Sequence, residues 1–297
     1  MERSPAPGRI TAVAPAAPEP ELSASVPVVL AVATVFVQIA HPLLSGGPLG
    51  VATIAAVGLF AGASLSHAAA TAGVGAAVRL LLVAGGIGLA AEALGVATGV
   101  PFGSYRYAGT LGTQVLGVPL LVPLAWTMTA YPCLLLGRRL AGTAHGRCRP
   151  AGVALAAGSL AAWDLFLDPQ MVADGHWTWL DPHPALPGVP GVPLTNYGGW
   201  LLVALVMTVA LDRTLPATLA PGRTPAPAAP AILLGWTWLG SALANLAFFG
   251  RPAVAAYGAV AMGGPVLAYL LTLRSDQHAD RQPHQQPHQQ PDQEVAR

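Results

Sequence analysis

Two stretches of the chain place a carboxylate inside an apolar segment and follow it with the same series of aromatic residues. Glu92 precedes Tyr105 by 13 residues, and Asp164 precedes Trp177 by the same number. In each stretch a second aromatic residue of the same type follows two positions later, and then a Gly-Val-Pro-Leu segment and a tryptophan. A carboxylate within lipid is costly and usually functional. Two carboxylates at equivalent positions of a repeat therefore indicate one shared site.

The residue types in these stretches suit acid catalysis on a lipid-soluble molecule. A carboxylic acid in apolar surroundings can hold a proton near neutral pH, and two neighbouring acids titrate as a pair. Indole and phenol rings favour a cationic intermediate because their faces attract positive charge. A proton donor, a water and an aromatic wall are the groups needed to hydrate an alkene. The predicted catalytic residues are Glu92, Asp164 and Asp168, and the predicted substrate-binding residues are Tyr105, Tyr107, Trp177, Trp179, Asn196, His41 and Arg106.

Each of these residues also has a purely structural interpretation. Aromatic residues at a membrane boundary are commonly interface anchors. Asp168 precedes a proline at a predicted helix end, where it would be solvated, and His41 is a similar case. Arg106 is either a loop charge or a counter-ion for a carboxylate, and Asn196 is either a helix N-cap or a ligand contact. Two further tryptophans are interpreted as packing residues, Trp126 and Trp200.

The composition predicts an all-α, polytopic integral membrane protein. The chain is 54% hydrophobic and 9% charged, whereas soluble domains are roughly 25% charged. The apolar runs are about 20 residues long without strict alternation, which favours helices over a barrel. Eight spans are predicted, over 26–44, 50–70, 77–95, 117–136, 151–168, 197–213, 231–249 and 253–273. Spans three and four would form one unit of a parallel internal repeat, and spans five and six the other.

The distribution of arginine predicts the orientation. Every basic residue is an arginine, and eight spans with both termini in the cytoplasm leave only Arg106 and Arg251 outside the cell membrane. The acids and the aromatic residues then gather near the outer face. Three regions are expected: a disordered segment 1–25, a transmembrane catalytic domain 26–273, and a disordered tail 274–297 rich in Gln, Pro and His.

Several other classes of protein lack support in the sequence. It has no Walker loop, Rossmann glycine fingerprint, nucleophile elbow or zinc-type Cys/His spacing. The absence of lysine disfavours nucleic-acid binding. No metal and no cofactor is predicted.

The motifs resemble those of the carotenoid biosynthesis membrane proteins, which include carotenoid 1,2-hydratases of the CruF and bisanhydrobacterioruberin hydratase type. The resemblance covers roughly residues 30–270, with several motifs in order and with suitable gaps. The matching segments are 92–95, 98–107, 117–119 with Trp126, 163–169, 177–179 and 193–200.

This resemblance implies a hydro-lyase that adds water, without a cofactor, to the terminal double bond of an acyclic carotenoid end group. The product would be a tertiary alcohol. Glu92 or Asp164 would protonate the alkene, the aromatic residues would face the cation, and the partner carboxylate with Asp168 would orient the water. The implied partners are the carotenoid, water, the lipid bilayer and other enzymes of the pathway.

Two alternatives remain open from the sequence. Asp164 and Asp168 are spaced like half of an aspartate-rich diphosphate–metal motif, which would suit a carotenoid prenyltransferase or elongase. Such enzymes need larger acidic clusters to hold magnesium. Parallel repeats and intramembrane acids also occur in proton-coupled transporters, although their sites lie at the midplane rather than near one face.

Overall fold

A computed structural model describes residues 22–144, 147–216 and 228–281 of the protein. This part of the chain is built from eight long helices. The third is continuous from Val74 to Thr98 and contains a π-helical turn at Leu81–Gly85. The helices are α1 Leu22–Ala40, α2 Gly46–Ala72, α3 Val74–Thr98, α4 Leu121–Ala141, α5 Pro150–Ala173, α6 Leu194–Thr214, α7 Ala228–Ala247 and α8 Pro252–Arg281.

The helices form a bundle of membrane type. Within the described ranges, six of them are long and apolar enough to cross a membrane, namely all except α4 and α7. Large apolar side chains lie exposed on the outside of the bundle, for example Phe36 (67%), Leu82 (68%) and Val260 (80%). Such a surface is suited to lipid rather than water. The predicted polytopic helical class is confirmed, whereas the number of eight spans stays a prediction.

The central helices approach closely because glycines face each other. A Cβ on Gly137 of α4 would lie 2.2 Å from the carbonyl oxygen of Gly152 of α5, so α4 and α5 can cross at this distance only without side chains. Polar bonds join α2 to α4: Ser64 Oγ donates to the Met128 carbonyl at 2.7 Å, and His67 Nδ1 lies 2.8 Å from Tyr131 Oη. These contacts fix α4 between α2 and α5.

A buried ion pair joins α4 to α6 at the end of the bundle opposite to Thr98 and Ala173. Arg138 is 1% exposed, and its Nε donates to Asp212 Oδ1 at 2.8 Å. The other carboxylate oxygen of Asp212 accepts the backbone N–H of Cys148 at 2.9 Å. Further Arg138 nitrogens donate to the carbonyls of Asp212, Leu215 and Pro216. Both charges are therefore compensated within the bundle.

Short strands cover the end of the bundle at which α3 and α5 finish, which we name the site end. Strand β1 (Tyr105–Tyr107) pairs antiparallel with β6 (Trp177–Trp179). The ladder continues through the bonds Leu180 N to Ser104 O (2.8 Å) and Ala108 N to His176 O (2.9 Å). The other short strands pair locally, β2 Gln114–Val115 with β3 Val118–Pro119 at the site end and β4 Thr143–Ala144 with β5 Arg147–Cys148 at the opposite end.

Some helix ends differ from the predicted spans. The sequence predicted that Asp168 would lie at the end of a helix because Pro169 follows it. That prediction is wrong: α5 continues through Pro169 to Ala173, although the proline removes one hydrogen bond of the helix and crowds the preceding turn. The last helix extends to Arg281, beyond the predicted limit of 273. The predicted disordered regions otherwise fall largely in 1–21 and 282–297, outside the described residues.

Candidate active site

Glu92 lies in α3 and accepts three hydrogen bonds from side chains of the site end. Its Oε2 accepts from the Tyr105 hydroxyl and, at 2.8 Å, from the Tyr107 hydroxyl. Its Oε1 accepts from Trp126 Nε1 at 3.1 Å. The residue is 5% exposed. This carboxyl group is therefore surrounded by donors, and the indole N–H can act only as a donor.

Glycines make room for the rings that hold Glu92. A Cβ on Gly88, one turn before Glu92, would lie 2.7 Å from the Trp126 ring. A Cβ on Gly95, one turn after it, would lie 3.0 Å from the Tyr105 hydroxyl. The helix around Glu92 thus accepts bulky aromatic neighbours because its own side chains are absent at these two positions.

The two tyrosines lie in the loop between α3 and α4, and both remain donors. Burial, and then the neighbouring Glu92 carboxylate, raise the pKa of the Tyr105 hydroxyl above its ordinary value. The same two causes raise the pKa of Tyr107. Both hydroxyls therefore keep their protons in the physiological range and can donate to Glu92.

Asp164 and Asp168 of α5 share a single amide group. They are 0% and 2% exposed, one helical turn apart, and Asn196 Nδ2 donates to an Oδ2 of each, at 2.7 Å for Asp164. Within the described part of the chain, Asp164 Oδ1 has no hydrogen-bond partner. Asn196 lies in the first turn of α6, and Pro193 occupies the N-cap position. The side chain of Asn196 thus binds the acids rather than capping its helix.

One cavity brings the two acidic groups together. It has a volume of about 690 Å³ out to its mouth. Glu92, Asp168 and Asn196 all line it, whereas Asp164 does not. Asp164 is therefore placed behind Asp168, away from the space that a substrate could occupy.

Aromatic rings form much of the cavity wall. Side chains alternate along a strand, so Tyr105 and Tyr107 of β1 point into the cavity and Arg106 points away. The rings of Tyr105 and Trp179 lie 5.7 Å apart, and those of Tyr107 and Trp177 lie 5.6 Å apart. All four predicted aromatic residues line the cavity. Three further tryptophans complete the wall, Trp126, Trp163 and Trp200.

Two predicted site residues lie elsewhere. Arg106 is exposed and, among the described residues, makes no ion pair with a carboxylate. Its position fits a loop charge better than a counter-ion. His41 directly follows α1 and does not line this cavity; its Nε2 lies 3.1 Å from Thr53 Oγ1, and it lines a second cavity instead.

The sequence interpretation underestimated three tryptophans. Trp126 and Trp200, interpreted as packing residues, stack with ring centroids 3.8 Å apart, and Trp126 also binds Glu92. Trp163 packs edge-on against Trp200 at 5.9 Å. The sequence marked Trp126 and Trp200 by their equivalent positions in the two stretches, each at the same distance after the Gly-Val-Pro-Leu segment. The sequence signal for Trp163 was its place directly before Asp164 in the segment 163–169 that matches the family.

The acids do not form an obvious cation site. Among residues 22–144, 147–216 and 228–281, no three His, Cys, Asp or Glu side chains are grouped so that they could hold a metal ion.

The fold and the geometry of the site define the class of protein: a helical membrane bundle with a buried acidic site under an aromatic cap. A family model described as "Carotenoid biosynthesis protein" matches residues 49–265. The chain therefore belongs to the carotenoid biosynthesis protein family.

Part of the chain resembles a named hydratase. The chain is 36% identical over 121 residues to a protein of Haloarcula japonica named "Bisanhydrobacterioruberin hydratase". The aligned part is 39% of this chain and spans 38% of the length of that relative. No solved structure matches.

Proposed function

We propose that the protein hydrates the terminal double bond of an acyclic carotenoid end group, as a hydro-lyase without a cofactor. One observation carries this proposal: a single aromatic-walled cavity contains two acidic groups that are held in different ways. The membership of the family and the name of the partial relative support a carotenoid substrate and water addition. The two acidic groups support a division between proton donor and proton acceptor.

The aspartate pair is suited to be the proton donor. Asn196 offers one N–H to each carboxyl group, and both groups are almost fully buried. Two carboxylates this close cannot both be charged without a compensating cation, so the pair retains a proton. Asp168 is the member that lines the cavity. This position favours Asp168 over Asp164 as the acid that reaches the alkene, and gives Asp164 a positioning role.

Glu92 is suited to be the proton acceptor. Three donated hydrogen bonds stabilise the ionised form of a carboxyl group. An ionised Glu92 that faces the same cavity as Asp168 can stabilise a tertiary cation and take a proton from water. The tryptophan and tyrosine faces of the wall add attraction for the cation.

Protons and bonds balance over the proposed reaction. The aspartate pair, with both carboxyl groups protonated, gives one proton to the less substituted alkene carbon, which leaves a tertiary cation and a singly charged pair that shares the remaining proton. Water adds to the cation through its oxygen, and Glu92 takes the proton released from that oxygen. The proton then returns from Glu92 to the aspartate pair across the shared cavity. The net reaction consumes one alkene and one water and forms one tertiary alcohol.

The internal repeat also belongs to this proposal, in a register other than the one read from the sequence. Val96 lies four residues after Glu92, and a Cβ added to Gly117 would lie 3.3 Å from its Cγ1 atom; Val172 lies four residues after Asp168, and a Cβ added to Gly191 would lie 3.2 Å from its Cγ1 atom. Glycines with positive φ, Gly99 and Gly175, follow each acid by seven residues. Arg106 pairs with Thr178 at the centre of β1 and β6, and Trp126 stacks on Trp200, so each of these two contacts joins corresponding positions of the two halves. These contacts favour Glu92 and Asp168 as the equivalent acids.

The proposed topology keeps the orientation that the distribution of arginines predicts. Both termini would lie in the cytoplasm of a cell whose membrane the chain crosses several times, and the site end would face outward. Association with other enzymes of the pathway stays a prediction.

The test of this function is expression in cells that accumulate an acyclic carotenoid, followed by mass analysis of the pigments. We expect a gain of one water per reacted end group, and in heavy water one deuterium fixed on carbon per addition. A five-carbon increment would instead indicate prenyl transfer. An unchanged pigment profile would refute both activities.

Three variants test the division of roles, and a fourth is a control. Glu92→Gln and Asp168→Asn should each abolish most hydration, and Asp164→Asn should lower it. Asp181→Asn removes an exposed carboxylate at the same end of the bundle and should leave it unchanged. Full hydration by Asp168→Asn or by Glu92→Gln would overturn the assignment of that residue.

A further inference from the structure

A second cavity lies beside the acidic one, between α1, α2, α5 and α7. Its volume is about 830 Å³ out to its mouth. The two cavities share a wall of six residues, Thr53, Val57, Met128, Trp163, Leu167 and Met171. Any molecule that moves between the cavities has to pass this wall.

The second cavity differs from the first in the chemistry of its lining. Six polar side chains from different parts of the bundle converge on it: Gln38, His41, Thr53, Gln170, Thr237 and Ser241. We name this space the polar chamber. Polar groups at membrane depth are costly unless they line a water-filled space or meet a polar partner. A space of this size with several polar groups can hold a number of water molecules.

Thr53 is placed to connect the two cavities. It is the polar residue of the shared wall, and its hydroxyl lies 3.1 Å from His41 Nε2 while donating to the Leu49 carbonyl at 3.0 Å. The hydroxyl donates its hydrogen to a carbonyl of its own helix. Its oxygen can therefore still accept a hydrogen bond from a passing water. The rest of the shared wall is apolar.

We propose that the polar chamber holds water and supplies it past Thr53 to the acidic cavity. This inference rests on the proposed hydration for the use made of the water, but the presence of water in the chamber does not depend on it. The acidic cavity is lined mainly by rings and aliphatic side chains, so a carotenoid end group that fills it leaves little room for bulk solvent. A separate source of water lets the substrate and its co-reactant arrive by different routes.

The principal competing occupant is the hydrocarbon chain of the substrate. Apolar residues form the larger part of the lining, but its polar groups oppose this occupant, because hydrocarbon would leave the amides of Gln38 and Gln170 without hydrogen-bonding solvent. Labelling of a thiol placed in the chamber gives opposite results for water and for hydrocarbon.

The first measurement detects water without using activity. Ser241→Cys places a thiol in the chamber, and Leu239→Cys places one on the lipid-facing side of the same helix, where Leu239 is 56% exposed. The purified protein in nanodiscs is treated with a small, permanently charged methanethiosulfonate. We expect Ser241→Cys to react on the order of ten-fold faster, because the thiol must ionise in water to react.

Two controls cover the background labelling of native cysteines and the failure of a variant to fold. The native Cys133 and Cys148 are buried, and the unsubstituted chain measures their reaction. Ala244→Cys also lines the chamber and serves if Ser241→Cys does not fold. Equal, slow labelling of the chamber and lipid-facing thiols would overturn the proposal whether or not the protein is a hydratase.

The second measurement tests whether this water is used. Ser241→Leu fills part of the chamber without touching the acidic cavity, and Leu239→Phe enlarges a lipid-facing side chain as a control. We expect Ser241→Leu to lower kcat on the order of ten-fold, which corresponds to about 1.4 kcal/mol, with unchanged carotenoid binding. Weakened carotenoid binding would assign the chamber to the hydrocarbon chain, and full turnover would exclude the supply route.

Discussion

Removal of the Tyr107 hydroxyl tests whether Glu92 acts in its ionised form. Tyr107→Phe deletes the donor that lies 2.8 Å from Glu92 Oε2 and preserves the ring that packs against Trp177. Hydrogen bonds to charged groups contribute about 1.5–3 kcal/mol. Because Tyr105 and Trp126 still donate, Glu92 should remain in place while a smaller fraction of it is ionised at neutral pH.

The expected loss of turnover follows from that range. A cost of about 1.5–3 kcal/mol corresponds to a fall in kcat of roughly 10- to 150-fold at pH 7. Carotenoid binding should change little, because the phenyl ring remains in the wall. The loss should become smaller as the pH is raised, since ionisation of Glu92 is then restored. The assay is hydrated pigment per unit time with purified protein in nanodiscs, over a range of pH.

A matched control separates this effect from the general cost of losing a buried hydroxyl. Tyr131 is 0% exposed, and its hydroxyl lies 2.8 Å from His67 Nδ1, outside the acidic cavity. Tyr131→Phe should lower thermal stability without a pH-dependent loss of turnover. If Tyr107→Phe lost no more activity than this control, or the same factor at every pH, ionised Glu92 as the proton acceptor would be refuted.

Three further predictions concern the support of the site and the stability of the bundle. Gly88→Ala should lower hydration at least as much as Tyr107→Phe, because its methyl group would collide with the Trp126 ring; normal turnover would show that this ring position is dispensable. Asp212→Asn should destabilise the protein by about 3–5 kcal/mol, because it leaves the Arg138 charge buried without its partner; an unchanged melting temperature in nanodiscs would contradict this. Burial lowers the pKa of His176, so the folded protein takes up its proton at a lower pH than the unfolded chain, and stability should fall as the pH is lowered through 6.5. His176→Asn should show a smaller decrease, and an equal decrease would disprove the contribution of this histidine.

The sequence predicted the helical elements better than their ends. Apolar runs near 20 residues mark each observed helix, because burying backbone groups in lipid requires a continuous hydrogen-bonded segment. The ends depend on local capping that the apolar pattern does not report. Gly99 and Gly175 adopt positive φ after α3 and α5. Both helices run beyond the predicted span ends at 95 and 168, and α5 carries Asp168 inside it.

The site was predicted in its residue types more than in its arrangement. The spacing of 13 residues paired Glu92 with Asp164, yet the cavity contains Glu92 and Asp168. Spacing alone does not reveal where the helices end: α3 ends seven residues before Tyr105, whereas α5 ends four residues before Trp177. The pairing of β1 with β6 joins residues 70 to 74 positions apart, and no local pattern in either strand specifies its partner.

The ladder between β1 and β6 also bears on the path of a long, lipid-soluble molecule. The loops that carry the two strands are joined by main-chain hydrogen bonds, so neither can lift from the acids without breaking the ladder of both. The cap consequently behaves as one piece, and opening it toward water would uncover four aromatic side chains at once. A molecule dissolved in the bilayer avoids this cost when it slides in sideways between helices. The same ladder that joins the two loops leaves the lipid side as the direction of approach that requires no rearrangement of the cap.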